Sequence, residues 1–348
     1  MVHKEKLPTI AASKKRFALP DISPPIKRRA LAELPALSNF DHGPKTRSRF
    51  QKEEKRRAKP VPDEPSNIAN EEDDPQLCLP YAADVLAYLR FLEGEERRRP
   101  MRNYMEKVQK KVISANMRGI LVDWLVEVAE EYKLLSDTLY LAVSYVDRFL
   151  SCNAVDKQKL QLLGVSSVLI ASKYEEIEPP KVKDFCYITD NTYTKKELVQ
   201  MEANILKSLH FEMGNPTAKT FLRNFINAGV ENKNSELLAN FLAELSLLDY
   251  DCIRFLPSLI AASVVFLARF TMNPNVHPWS SKLQQYTGYS SSDLKDCVLA
   301  LHNMQMNRKF SSLTAIREKY KQPKFKAVSA MIVPSEIPSS CFEDFEEL

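Results

Sequence analysis

A self-similarity at one fixed offset constrains this chain more than any other feature of its sequence. Tyr193-Thr194-Lys195-Lys196-Glu197-Leu198 is echoed 96 residues later by Tyr289-Ser290-Ser291-Ser292-Asp293-Leu294. In the first copy Thr194 is followed three residues on by Glu197, the pattern of a capping box at a helix start. Ser167-Val168-Leu169-Ile170 returns at the same offset as Ser263-Val264-Val265-Phe266, and Lys173-Tyr174 returns as Arg269-Phe270. Two separate helices agreeing on one offset imply two copies of one all-α bundle of about 100 residues each. Pro216 marks the join.

Apolar periodicity fills in the bundles. From Tyr81 onward Val85, Tyr88, Leu89 and Leu92 follow helical spacing and predict one amphipathic stripe, ended by Gly94 and Pro100. A second helix is expected from about Met117, with Ile120, Leu121, Trp124, Leu125, Val128 and Tyr132 on one face. A third starts at Ser136 or Asp137 as its N-cap. Leu160–Ala171 is apolar or small on nearly every side, as expected of a helix at the hub of a bundle. After Pro179-Pro180 and a short segment around Phe185, the capping box Thr194-x-x-Glu197 opens a helix striped by Leu198, Met201, Ile205 and Leu209.

The copies differ at an instructive position. Glu202 sits at the edge of the apolar face of the first copy, and its counterpart in the second is Val298. A carboxylate buried there alone is costly, so it calls for a cation, and Lys173 on the hub helix is the candidate. Two readings stay open at this level: a salt bridge that only fixes packing, or a charged pair on a surface that a partner chain buries. Trp124 is similarly double, as core or as the wall of a shallow exposed groove.

The first eighty residues have another character. Eleven of the chain's 21 prolines lie between Pro8 and Pro80, and residues 1–60 carry 16 Lys and Arg against 6 Asp and Glu. Such a segment cannot bury enough apolar surface to offset its ordering entropy, so a disordered basic arm is expected. Lys14-Lys15-Arg16 and Lys27-Arg28-Arg29, ten residues apart, suit a two-part nuclear import signal, so a nuclear location is expected. Arg28, Leu31 and Leu34 spell R-x-x-L-x-x-L. The rest of the chain carries 33 basic against 39 acidic residues.

Several function classes find no support. The longest apolar run, around Leu259–Ala268, is far short of the roughly 18–20 residues that cross a bilayer, and the N-terminus opens with Lys4, Glu5 and Lys6, so no membrane association is expected. The six cysteines form no C-x-x-C pair and the five histidines have no metal-ligand spacing, so neither a metal nor a cofactor is expected. Phosphate-binding loops and nucleophile elbows are missing, and Glu175-Glu176 point apart on a helix. No catalytic residue is assigned, and an enzyme is not expected.

With these residues in view, the chain resembles the cyclin family. Met117-Arg118-Gly119-Ile120-Leu121-Val122-Asp123-Trp124-Leu125-Val126-Glu127-Val128 is similar to the start of the first cyclin box of A-type mitotic cyclins. Lys159-Leu160-Gln161-Leu162, Ala171-Ser172-Lys173-Tyr174-Glu175-Glu176-Ile177 and Tyr187-Ile188-Thr189-Asp190-Asn191-Thr192-Tyr193 continue it in order. Glu106-Lys107-Val108-Gln109-Lys110 and Met213-Gly214-Asn215-Pro216-Thr217 look most like the plant branch. The resemblance implies two tandem five-helix cyclin-box bundles, at 117–215 and 216–322. Residues 81–116 would hold an N-terminal helix and connector, 1–80 the arm and 323–348 a tail.

By the same resemblance, the chain is a regulatory subunit that binds and activates a cyclin-dependent serine/threonine protein kinase, phosphoryl transfer belonging to the partner. The kinase-binding pair falls on Lys173 and Glu202, with Leu206, Phe211, Met213, Tyr81, Val85 and Tyr88 as apolar neighbours. A docking patch for R-x-L substrates and inhibitors falls on Met117, Ile120, Leu121, Trp124, Glu127, Leu160 and Gln161, with Lys157 where animal relatives have Arg. Arg28, Leu31 and Leu34 resemble a destruction box read by the ubiquitin ligase acting on mitotic cyclins, with Ala36 where its trailing Asn would stand. Competing expectations are a cyclin-fold transcription factor and a scaffold without kinase activation. The acidic balance outside the arm opposes duplex binding, so a nucleic-acid partner is not expected.

Overall fold

The computed structural model describes residues 81–230, 232–306 and 310–343, which are helical and contain no strand. The import clusters and Arg28, Leu31 and Leu34 lie outside the described residues.

An N-terminal helix, α1 (Ala82–Gly94), and a single turn, α2 (Tyr104–Lys107), precede the first bundle. That bundle holds α3 (Ala115–Glu131), α4 (Ser136–Cys152), α5 (Leu160–Glu175), α6 (Val182–Ile188) and α7 (Lys195–Ser208). The second holds α8 (Ala218–Gly229), α9 (Lys233–Leu248), α10 (Pro257–Met272), α11 (Ser281–Thr287) and α12 (Ser291–Gln305), with α13 (Ala315–Tyr320) after it. The repeat is borne out: α4, α5 and α7 shifted by 96 residues fall on α9, α10 and α12 to within a residue or so.

The hub helices are the apolar ones. Residues 160–172 of α5 are buried except for Gln161, and α4 and α7 pack against α5 while α8, α9 and α12 pack against α10. Gly164 makes this closeness workable: a methyl there would sit 2.7 Å from Cδ1 of Leu121, so the missing side chain is the space that Leu121 fills. The expected capping box forms, and the second copy has one as well. Thr194 Oγ1 accepts from the Glu197 N–H at 3.3 Å while Glu197 Oε2 accepts from the Thr194 N–H at 2.8 Å, and Ser290 and Asp293 repeat the arrangement.

Three expectations need correction. The second helix begins at Ala115 and is capped by Ser114, whose Oγ accepts from the Met117 N–H at 3.2 Å. The start of α4 is not capped by its own Ser136 or Asp137; Glu176, arriving from beyond α5, accepts from the Leu135 N–H at 2.8 Å and from Thr138 Oγ1 at 2.5 Å. A carboxylate distant in sequence therefore anchors the backbone just before the helix, while the first-turn N–H groups carry no side-chain cap. The stripe on α1 splits, with Leu86, Leu89 and Leu92 turned to the core and Val85 and Tyr88 exposed.

The bundles are tied together by polar groups. Glu93 at the end of α1 accepts from the backbone N–H and hydroxyl of Ser258 at 2.9 and 2.6 Å, and Arg90 donates to the carbonyl of Thr287 and lies over the Tyr289 ring. Arg118 of α3 donates to the carbonyl of Leu247 in α9 while gripping Asp147 of α4. Residues 323–343 fold back onto the body: Phe342 is buried and stacked on Phe266 at 5.3 Å, and Lys324 reaches Glu130 of α3 at 3.0 Å.

Candidate functional site

Lys173 stands in the last turn of α5 and Glu202 in the middle of α7, and the packing of these helices brings Nζ to 2.5 Å from Oε1. The pair is asymmetric: the Glu202 side chain is 13% exposed and that of Lys173 is 46%. The helix packing thus fixes the carboxylate and leaves the ammonium half in solvent. An exposed pair of this kind contributes only about 0–1 kcal/mol to stability, so stability is a weak reason for its presence.

What surrounds the pair is unusual for a free surface. Tyr174 follows Lys173 and is exposed, Ile177 just beyond α5 is 99% exposed, and Phe211 beyond α7 is 67% exposed with a left-handed φ of 59°. Holding a bulky aromatic outward in that conformation costs roughly 1–2 kcal/mol that solvent does not return. Leu206, one turn after Glu202, is half-buried beside them. Met213 departs from expectation: it is buried, and its carbonyl accepts from the Tyr145 hydroxyl at 2.9 Å, so it supports the surface from beneath.

The N-terminal helix adds a second group. Tyr81, Val85 and Tyr88 are exposed as a surface role requires, and Phe91, which the sequence reading did not single out, is exposed with them. Their helix is joined to the loop carrying Phe211 by Arg97, 2.8 Å from Glu212, and by Arg98, which donates to the carbonyl of Gly214 at 3.0 Å. An ion pair and several exposed aromatic and aliphatic side chains together match the composition of a protein-binding surface.

On α3, Met117, Ile120 and Trp124 share one face, half-buried against the core, with exposed Glu127 one turn beyond and half-buried Gln161 contributed by α5. Leu121 and Leu160 do not belong to the exposed patch. Both are fully buried, Leu121 because it fills the space beside Gly164, so they form its floor. Desolvation pushes the Glu127 carboxyl above its ordinary range, an environment that a cationic side chain would relieve. Next to Trp124, Asp123 accepts from the Ala315 N–H at 3.0 Å, and burial pushes its carboxyl up to about 6.

The buried triad of Arg118, Asp147 and Tyr104 has no signal in the local sequence pattern. Tyr104 donates to Asp147 Oδ1 at 2.8 Å, and Arg118 takes both carboxylate oxygens.

Comparison with known proteins agrees with this architecture. Residues 84–214 match the model of the cyclin N-terminal domain and residues 216–334 that of the cyclin C-terminal domain. The G2/mitotic-specific cyclin C13-1 of Daucus carota is 63% identical over 277 residues, covering 78% of this chain and 81% of the relative. Cyclin-A3-1 of Oryza sativa subsp. japonica is 62% identical over 281 residues, covering 79% and 75%. Cyclin-A3-4 of Arabidopsis thaliana is 50% identical and covers 97% of this chain and 95% of its own. Among solved structures, a viral cyclin from herpesvirus saimiri shares the fold at a TM-score of 0.56 and 22% identity, covering 67% of this chain and 99% of that one. The yeast RNA Pol II CTD kinase CTDK-1 complex contains a chain matching at a TM-score of 0.52 and 16% identity, over 70% of this chain and 87% of that one. The chain belongs to the cyclin family, among the plant A-type cyclins.

Proposed function

We propose that this chain is the regulatory subunit of a cyclin-dependent serine/threonine protein kinase, acting in cell-cycle progression. The observation that carries this reading is the Lys173–Glu202 pair, presented beside outward-held Tyr174, Ile177 and Phe211. Membership in the cyclin family supports it, as does the likeness to a chain of a kinase complex. The subunit presses this surface and α1 against the kinase helix bearing the glutamate of its Lys–Glu ion pair, and the kinase performs the chemistry.

Substrates and inhibitors carrying R-x-L dock on Met117, Ile120 and Trp124, their leucine on the apolar floor and their cation at Glu127. The basic arm supplies nuclear import, and Arg28, Leu31 and Leu34 supply the signal for ubiquitination and degradation. The deciding experiment is co-purification of a cyclin-dependent kinase with the full chain, together with histone-kinase activity, for the parent and for Lys173→Ala and Glu202→Ala. Loss of both binding and activity in the variants supports the reading; a parent chain that captures and activates no such kinase overturns it.

A further inference from the structure

A surface cavity of about 710 Å³ opens where the segment after α1, the end of α4 and the loop after α7 meet. Its charge is unbalanced. Arg97, Arg99, Arg102 and Arg148 line it against Glu96 and Glu212, and Glu212 is already committed to Arg97 at 2.8 Å and Arg98 at 4.0 Å. Among the described residues, Arg99, Arg102 and Arg148 have no carboxylate within ion-pair distance.

Arg148 is the strongest anomaly of the three. It is 2% exposed, and its guanidinium donates only to backbone carbonyls, those of Glu212 at 2.9 Å and Arg97 at 3.4 Å, while Nε has no partner. A buried cation with no ion-pair partner is costly, and burial pulls its ionisation below the usual guanidinium range against the weaker attraction of Glu212, which is itself paired to Arg97. Arg99 shifts the same way, from burial and from its neighbour Arg102. Arg148 is held in the interior on backbone carbonyls alone and Arg99 and Arg102 line the same cavity without an ion-pair partner, an arrangement that a negative charge supplied from outside would complete.

We propose that this cavity binds a phosphomonoester, the side chain of a phosphorylated serine or threonine on a protein held alongside the chain. A phosphate carries about −1.5 to −2 charges and three acceptor oxygens, which suits several forked guanidinium donors. The volume exceeds that of one phosphate, and Pro100, Met101 and Leu209 give an apolar wall to the residues flanking it. A nucleotide fits less well, because no Phe, Tyr or Trp lines the cavity to stack a base. Residues 61–348 carry 33 basic against 39 acidic side chains, which disfavours a long polyanion. The cavity shares Glu212 and His210 with the loop that presents Phe211, so an occupant would sit beside the surface assigned to the kinase. The choice of a phosphoprotein as its source rests on that assignment; the cavity itself does not.

The test is fluorescence anisotropy on the full chain with a labelled phosphoserine peptide flanked by glycine and serine, and with its unphosphorylated twin. The phosphopeptide is expected to bind at least about tenfold more tightly, and Arg99→Glu combined with Arg102→Glu to remove that preference. Exposed Cys152 lines the cavity and serves as an independent reporter, its alkylation slowing when phosphopeptide is present. Equal binding of the two peptides, or an unchanged preference in the double variant, overturns the site. Binding of inorganic phosphate without phosphopeptide, or of an oligonucleotide more tightly than either, overturns the source. Kinase co-purification with the double variant is read separately, so failure of the kinase assignment and failure of the phosphate site are distinguishable.

Discussion

Arg118 meets both oxygens of Asp147 inside the protein, with Nε 2.8 Å from Oδ1 and Nη2 2.7 Å from Oδ2, and with both side chains more than nine-tenths buried. Tyr104 completes Asp147, and the carbonyl of Leu247 accepts another guanidinium N–H, so α2, α3, α4 and α9 converge on one ion pair. Removing one partner strands the other charge in the interior. Asp147→Asn and Arg118→Met are each expected to cost about 3–5 kcal/mol in urea unfolding. Replacing both by apolar residues is expected to recover part of that loss, which a double-mutant cycle measures.

The pair at Lys173 and Glu202 predicts the opposite balance. With one side chain half in solvent, Lys173→Ala is expected to change unfolding free energy by about 1 kcal/mol or less. Kinase affinity is expected to fall at least tenfold, about 1.4 kcal/mol, because docking desolvates the ammonium among Tyr174, Ile177 and Phe211. Glu202→Gln keeps the packing and removes the charge. Isothermal titration against a kinase, set beside urea curves of the same variants, separates the two effects.

The α3 patch is expected to act independently of that surface. Trp124→Ala removes the aromatic wall and is expected to weaken R-x-L peptide binding by about 2 kcal/mol or more while leaving kinase co-purification intact. Glu127→Gln is expected to weaken peptides with a cationic first residue and to spare those without one. Anisotropy with the two peptide types distinguishes these outcomes.

Asp123 gives the fold a pH dependence of unusual sign. Burial lifts its carboxyl from 3.8 to about 6 despite the Ala315 N–H bond that opposes the rise. Between those values the folded chain holds a proton that the unfolded chain has released, so this residue's contribution to stability falls as pH rises from about 4 to about 6. Asp123→Asn keeps an acceptor for Ala315 and carries no charge. Its melting temperature is expected to lack that part of the decline when compared with the parent across the same range.

The sequence disclosed what depends on local pattern. Capping boxes at Thr194 and Ser290 and the apolar hub helices are written in neighbouring residues, and the 96-residue offset multiplied their weight. Lys173 and Glu202 were legible because the second copy replaces the glutamate by Val298, buried at the matching place. Burial of Leu121 and Leu160 was not, since helical periodicity places a side chain on a face without showing how closely the next helix approaches. The Arg118–Asp147 pair and the arginine cavity were hidden for a related reason. Each unites segments far apart in the chain, and none of those segments has a periodicity that singles out its charged residues.

The end of the chain, acidic and without an assigned role in the sequence, supplies a final test. Phe342 lies parallel to Phe266 of α10 at 5.3 Å and 5°, is 6% exposed, and has Lys295 Nζ 5.9 Å from its centroid. Phe266 is itself a fully buried hub residue, so Phe342 extends the second bundle's core. Truncating it leaves a ring-sized gap over Phe266, and Phe342→Ala is expected to cost about 3 kcal/mol, within the range for a buried phenylalanine. If the residue is core, amide exchange should accelerate in α10 and α12, which flank the gap, and not only in residues 339–343. Acceleration confined to 339–343 would mean that the second bundle closes without Phe342 and that its stacking contributes little to the hub.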